Sequence, residues 1–169
     1  MTLAELNSLP PDVAFGEFQK CCGTRRWVEK MIRRRPFHSI GDLIAAAEEL
    51  WWNLSEKEWK EAFAHHPRIG DIETLRKKSA TSDWSEKEQA GVGSASEELL
   101  KRLSEGNRLY EEKFGHIFIV YAQGKSAQEM VTILESRLNN EPAKEITIAA
   151  GELAKIMKLR FKKLLGIEQ

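Results

Sequence analysis

Only two cysteines occur in this chain of 169 residues, and they are adjacent, Cys21 and Cys22. A bridge between sequence neighbours is strained, so the pair points to a reducing compartment and excludes a disulfide scaffold. Charge is not in excess in either direction: Lys+Arg and Asp+Glu both number 26, which argues against general nucleic-acid or membrane-surface binding. No apolar run reaches the length of a membrane span or a signal-peptide core. Metal-ligand spacing is missing as well. His65 and His66 are neighbours that face different sides, His38 and His116 are remote, and neither Cys-x-x-Cys nor His-x-x-x-His is present. There is no repeat and no low-complexity segment, and the closing Gly166-Ile167-Glu168-Gln169 is not a Ser-Lys-Leu peroxisomal address. The expectation is one cytoplasmic domain over residues 1–169, with enough material for a sizeable core and with partners to be argued from local sites.

What the sequence does have is helix signals. The Ser/Thr-x-x-Glu capping box recurs at Thr2 to Glu5, Ser55 to Glu58, Ser85 to Glu88, Ser94 to Glu97 and Ser126 to Glu129. Apolar periodicity predicts further helices at about 12–22, 25–34, 40–53, 94–114 and 142–165. Breaks fall at Gly23, Pro36, Gly106 or Gly115, Gly124 and Asn139 to Pro142. The predicted fold class is all-α, a single-domain multi-helix bundle. The polar, aperiodic stretch from Gly70 to Asp83 predicts a long surface loop.

Four features stand out against this background. Trp59, Ala62, Phe63 and His66 share helical spacing, so His66 faces inward just where Pro67 stops the helix. Free carbonyls at a helix end favour the imidazolium while desolvation opposes it, a setting equally suited to a proton donor or to a core histidine capping its helix. Phe114 to Ala122 reads as an extended segment without a partner strand, whose backbone groups need a ligand, side chains or water. Arg160 lies in the apolar stripe of the last helix, between Ile156 and Leu164, where it must snorkel, pair or hold an anion; Arg137, between Leu134 and Leu138, is a similar case on a mixed face. Glu88 is accounted for by its capping box, but Gly91 and Gly93 after it end a short helix and permit close packing.

Several ordered motifs then resemble one family along nearly the whole chain. They are Cys22-Gly23-Thr24-Arg25-Arg26-Trp27, Arg35-Pro36-Phe37, His66-Pro67-Arg68-Ile69-Gly70, Glu88-Gln89-Ala90-Gly91, Asn107-x-x-Tyr110, Phe114-Gly115 with Phe118-Ile119, Arg137-Leu138-x-Asn140 and Leu159-Arg160-Phe161. The set resembles the 2-oxo-4-hydroxy-4-carboxy-5-ureidoimidazoline (OHCU) decarboxylases, which complete urate breakdown to (S)-allantoin. The His-Pro-Arg-Ile-Gly form looks like the bacterial branch of the family. The resemblance implies a cofactor-free, metal-free carboxy-lyase acting on a small anion, with His66 and Glu88 catalytic. It implies that Pro67, Ser85, Glu86, Lys87 and Gln89, together with Phe118, Ile119, Val120, Tyr121 and Ala122, line the substrate, and that Arg160 takes an anionic or carbonyl group. A homodimer is also implied. The alternatives are a non-catalytic protein-interaction module using Trp51, Trp52, Trp59 and Trp84, or a binding module for a purine-like anion.

Overall fold

In the computed structural model, residues 1–71, 84, 87–93 and 95–167 are described. Among them are eight α-helices and no strand: α1 Leu3–Ser8, α2 Pro11–Cys21, α3 Arg25–Arg34, α4 Ile40–Trp52, α5 Glu56–Ala64, α6 Glu97–Phe114, α7 Ala127–Arg137 and α8 Pro142–Leu164, with a 3₁₀ turn at Ala90–Val92. The all-α expectation holds. The boxes at α1, α5 and α7 form reciprocally. Thr2 N–H donates to Glu5 Oε2 at 2.6 Å, Ser55 N–H to Glu58 Oε2 at 2.8 Å and Ser126 N–H to Glu129 Oε2 at 2.7 Å, and each hydroxyl accepts in return.

One expected helix start moves, and of the two alternative breaks Gly115 is the one used. α6 starts at Glu97, not 94, because Ser96 is the residue whose hydroxyl accepts from Leu99 N–H at 3.3 Å; Ser94 lies outside the described residues. Gly106 does not break α6. A Cβ there would lie 2.6 Å from Leu134 Cδ2, so the glycine lets α7 pack against α6. Gly115, at φ 68°, is the residue that ends the helix.

The described residues group into two compact units. The first comprises residues 1–62 and 154 onward, and the second Phe63–Leu153. In the first, Phe18 makes edge contacts with Trp27 and Phe161 at ring-centroid distances of 6.3 and 6.2 Å, and the Trp27 indole donates to the Ala47 carbonyl at 3.0 Å. Trp51 is fully buried, Trp59 and Trp84 are half-buried, and only Trp52 of the four proposed interaction tryptophans is well exposed. Core burial therefore removes most of the sticky surface that an interaction module would use. No helix among the described residues is long and apolar enough to cross a membrane.

The second unit packs around Leu103, Tyr110, Phe114, Phe118, Val120, Met130, Val131 and Leu134. Ile69, from the segment after α5, and Val92, from the 3₁₀ turn, join the same cluster. One apolar core thus anchors three of the four stretches that the sequence marked, those of His66, Glu88 and residues 118–122.

Candidate active site

His66 sits where Pro67 forces the chain out of helix. α5 ends at Ala64, and His66 N–H closes a tighter last turn by donating to the Phe63 carbonyl at 2.9 Å. His66 is 8% exposed while His65 is exposed, so the two imidazoles face different surroundings as their adjacency predicts. Pro67 is half-buried. The next residues are pinned from three sides. Arg68 is held by both carboxylate oxygens of Glu111, Asn107 Nδ2 donates to the Ile69 carbonyl at 2.9 Å, and Gly70 N–H donates to Gln89 Oε1 at 3.0 Å. The Arg68 guanidinium in turn holds the Glu111 carboxyl below the usual carboxylate range. Arg68 is therefore a supporting residue of this loop. Gly70, at φ 85° and with a would-be Cβ 2.9 Å from Leu103 Cδ2, fits only as glycine.

Glu88 is helical, 7% exposed, and followed by the equally buried Gln89. Lys87 is exposed. Ser85 and Glu86 lie outside the described residues, as do the Ser85 to Glu88 box and most of the Gly70 to Asp83 stretch. Gln89, expected to touch substrate, has its amide oxygen committed to Gly70, so it ties the Glu88 turn to the His66 loop. Gly91 explains the close packing its sequence promised. A Cβ there would lie 2.1 Å from the Lys125 carbonyl oxygen, so the turn after Glu88 rests directly on backbone that follows Ala122.

Residues 117–122 belong to no helix and no ladder, a shorter run than the expected Phe114 to Ala122 because Phe114 is the last residue of α6. Phe118, Val120 and Ala122 enter the apolar cluster and Ile119 and Tyr121 do not, which is period-2 alternation. The side-chain reading of the unpaired backbone applies to one edge. On the edge of Ile119 and Tyr121, side chains replace a partner strand: Arg137 Nη1 donates to the Ile119 carbonyl at 2.7 Å, Tyr121 N–H donates to Glu152 Oε2 at 2.7 Å, and Lys125 Nζ donates to the Tyr121 carbonyl at 2.8 Å. The Tyr121 N–H is thus spent on a carboxylate. On the other edge, the N–H groups of Val120 and Ala122 make no hydrogen bond among the described residues.

Arg160 belongs to the first unit. It is 5% exposed, and Nη1 donates to the Lys20 carbonyl at 3.1 Å, so it does not snorkel to solvent. Its charge opposes the effect of burial on the two thiols, but burial wins and pushes Cys22 up to about 12 and Cys21 higher still, which keeps both neutral. Among the described residues, no three His, Cys, Asp or Glu side chains gather as a metal site would require.

The profile of one family, described as OHCU decarboxylase, matches residues 7–162. The chain belongs to the OHCU decarboxylase family. It is 36% identical over 155 residues to the uric acid degradation bifunctional protein TTL of Arabidopsis thaliana, covering 90% of this chain and 48% of that one. It thus spans about half the length of that relative. The OHCU decarboxylase of Mus musculus is 28% identical over 173 residues, with 98% of this chain and 94% of the mouse protein covered. A crystal structure of an OHCU decarboxylase in the presence of (S)-allantoin superposes with a TM-score of 0.76 at 33% identity, covering 89% of this chain and 97% of that chain. A structure of (S)-allantoin synthase, at 17% identity and a TM-score of 0.72, shares the fold.

For an OHCU decarboxylase relative, the residues that periodicity overlooked are Glu145 and Glu152. Glu145 is fully buried, and its signal was available: Glu145, Ala149 and Leu153 recur at four-residue spacing on one face of α8.

Proposed function

We propose that this chain decarboxylates OHCU to (S)-allantoin in urate degradation, without a cofactor, with His66 as proton donor and Glu88 as its partner carboxylate. The observation that carries the reading is that two buried ionisable residues, His66 and Glu88, lie on stretches joined through the Gly70–Gln89 hydrogen bond. In the reaction the bond to the carboxylate breaks and CO₂ leaves; its electron pair forms a C=C bond while the C=N pair moves onto the ring nitrogen. The hydroxyl proton passes to Glu88 as the carbonyl forms, and the C=C pair takes a proton from His66 at the carbon that becomes the stereocentre of allantoin, its hand fixed by approach from one face. The proton on Glu88 then neutralises the ring nitrogen. Fixed donors aimed at the developing charge lower the barrier; Val120 N–H and Ala122 N–H supply them here. The family resemblance assigns Pro67 and residues 85–89 to the substrate as well. Arg160 enters by its chemistry, as a buried cation able to hold an anionic or carbonyl group. Two reduced cysteines fit a cytoplasmic enzyme. The expected homodimer is checked by sedimentation velocity.

The test supplies purified protein with urate, urate oxidase and hydroxyisourate hydrolase and follows the chirality of the allantoin. Rapid formation of the S enantiomer alone is expected; racemic product at the spontaneous rate sinks the reading. Glu88→Gln separates chemistry from capping. Glutamine serves a capping box nearly as well as glutamate, so a structural Glu88 predicts unchanged rates. A catalytic Glu88 predicts a loss of about 10²-fold or more at an unchanged melting temperature, as expected for removal of an acid-base group. Arg160→Met keeps the stem and removes the donor fork. Loss of a charge-assisted contact costs about 1.5–3 kcal/mol, or roughly one to two powers of ten in kcat/KM. Wild-type kinetics in that variant would remove Arg160 from the site.

A further inference from the structure

Tyr110, Arg137 and Asn140 recur in the family-like motifs, yet none is assigned to the chemistry above. The structure joins them. Arg137 Nε donates to Glu145 Oε1 at 2.6 Å and Nη2 lies 2.5 Å from the same oxygen; Asn140 Nδ2 donates to Glu145 Oε2 at 2.7 Å. The Tyr110 hydroxyl donates to Glu145 Oε1 and accepts from Arg137 Nη2 at 3.3 Å. The guanidinium also lies over the Phe118 ring, 4.8 Å from its centroid. The Arg137 side chain is 8% exposed and that of Glu145 is 0%. A stability role alone gives no reason for the remaining nitrogen, Nη1, to reach past this cluster to the Ile119 carbonyl.

We propose that Arg137 is a positioning residue, which sets the direction of the Val120 N–H by holding the carbonyl of the same peptide unit. The proposal rests on the reading of residues 118–122 as substrate-facing backbone. The Ile119–Val120 peptide is planar and trans, the cis bond of the described residues being Arg35–Pro36, so its C=O and N–H point in opposite directions. Fixing the Ile119 carbonyl on Arg137 therefore turns the Val120 N–H to the opposite edge. Lys125 does the same for Ala122 N–H through the Tyr121 carbonyl, and Glu152, by taking Tyr121 N–H, turns the Val120 carbonyl to that edge as well. The open edge then presents donor, acceptor and donor in sequence. That order complements the carbonyl, N–H, carbonyl edge of a hydantoin ring, the edge that the reaction completes when the hydroxyl-bearing carbon becomes a carbonyl, and so names the group that this segment reads. Buried ion pairs hold geometry when their remaining donors are satisfied, and the planar Arg fork can serve a carboxylate and a carbonyl together where lysine cannot.

The experiment compares wild type with Arg137→Lys, which keeps the charge and loses the fork. It reads kcat/KM on OHCU generated in situ, melting temperature, and the ¹⁵N–¹H resonance of Val120 with and without (S)-allantoin. Misplacing catalytic geometry by about 1 Å costs up to 10²-fold in rate. The expected result is a kcat/KM roughly 10–100-fold lower per folded molecule, an unchanged pH profile because no titrating catalytic group is altered, and a displaced Val120 amide that no longer responds to allantoin. Unchanged kcat/KM and an unmoved Val120 amide overturn the proposal. If Arg137→Lys does not fold, Tyr110→Phe decides, since it keeps the ring and removes only the hydroxyl that steadies Glu145 and Arg137. A severalfold loss of kcat/KM with a shifted Val120 amide supports the clamp, and wild-type values for both reject it. A wild type that turns over no OHCU overturns the proposed function instead. In that case a Val120 amide displaced in Arg137→Lys still supports the clamp, and an unmoved one rejects it.

Discussion

Replacing His66 with asparagine lowers the rate of OHCU decarboxylation by about 10²–10⁴-fold, the range that a positioned general acid contributes, and the residual product loses its S selectivity. Asparagine keeps polarity and much of the volume but has no proton to give at neutral pH. His66 is 8% exposed, so a structural role would appear as a fall in melting temperature that parallels the loss of rate. The expected outcome is instead a rate loss without matching destabilisation. His65→Ala is the control. His65 is exposed on the other side of the same turn and its removal leaves turnover near wild type. Active His66→Asn together with dead His65→Ala would mean that the neighbouring imidazole does the chemistry.

Gly91→Ala has the second-largest expected effect, and it arises from one methyl group. The added Cβ would meet the Lys125 carbonyl oxygen at 2.1 Å and the Lys125 carbonyl carbon and Ser126 Cα at 3.1 Å, all of them backbone that cannot rotate away. The turn after Glu88 and the end of the extended segment must separate. Overpacking of this kind costs about 1–3 kcal/mol, which in a domain of this size lowers Tm by several degrees. The displaced Glu88 loses roughly a further 10–100-fold in kcat/KM, as expected for a shift of about 1 Å. Gly93→Ala measures what is specific to Gly91. Its Cβ would lie 3.5 Å from the Ala90 carbonyl oxygen, an ordinary contact, and near-wild-type stability and rate are expected. Equal damage from the two substitutions would show that helix propensity, not the Lys125 contact, governs this turn.

These residues also show how far sequence patterns reach. The inward turn of His66, the helix ends marked by reciprocal caps, the extended run at 117–122 and the close approach of Gly91 are consequences of local chemistry, and each was legible as such. The start of α6 was not, because Ser94 and Ser96 are both capable caps in the sequence. Gly106 stayed an alternative to Gly115 for a related reason: a glycine reads as a breaker until the facing Leu134 is known. The pairings that shape the site were the least legible. Gln89 with Gly70, Arg137 with Glu145 and Glu152 with Tyr121 span 19, 8 and 31 residues, and no periodicity records which carboxylate on a helix face meets which backbone group. Arg137 sits on a mixed face and gave a weaker signal than Arg160, yet its contacts are the more extensively built.

The side chains along one edge of the extended segment have a further consequence, for solubility. Ile117 to Ala122 is a six-residue run that is β-branched and aromatic, with no charge and no proline, the composition from which stacked intermolecular sheets grow. Such a run spreads by offering a row of open N–H and C=O groups to an identical copy. Arg137, Glu152 and Lys125 fill that row with charged groups, which a second copy of the strand would have to displace and desolvate. The same three side chains thereby keep the run from recognising itself.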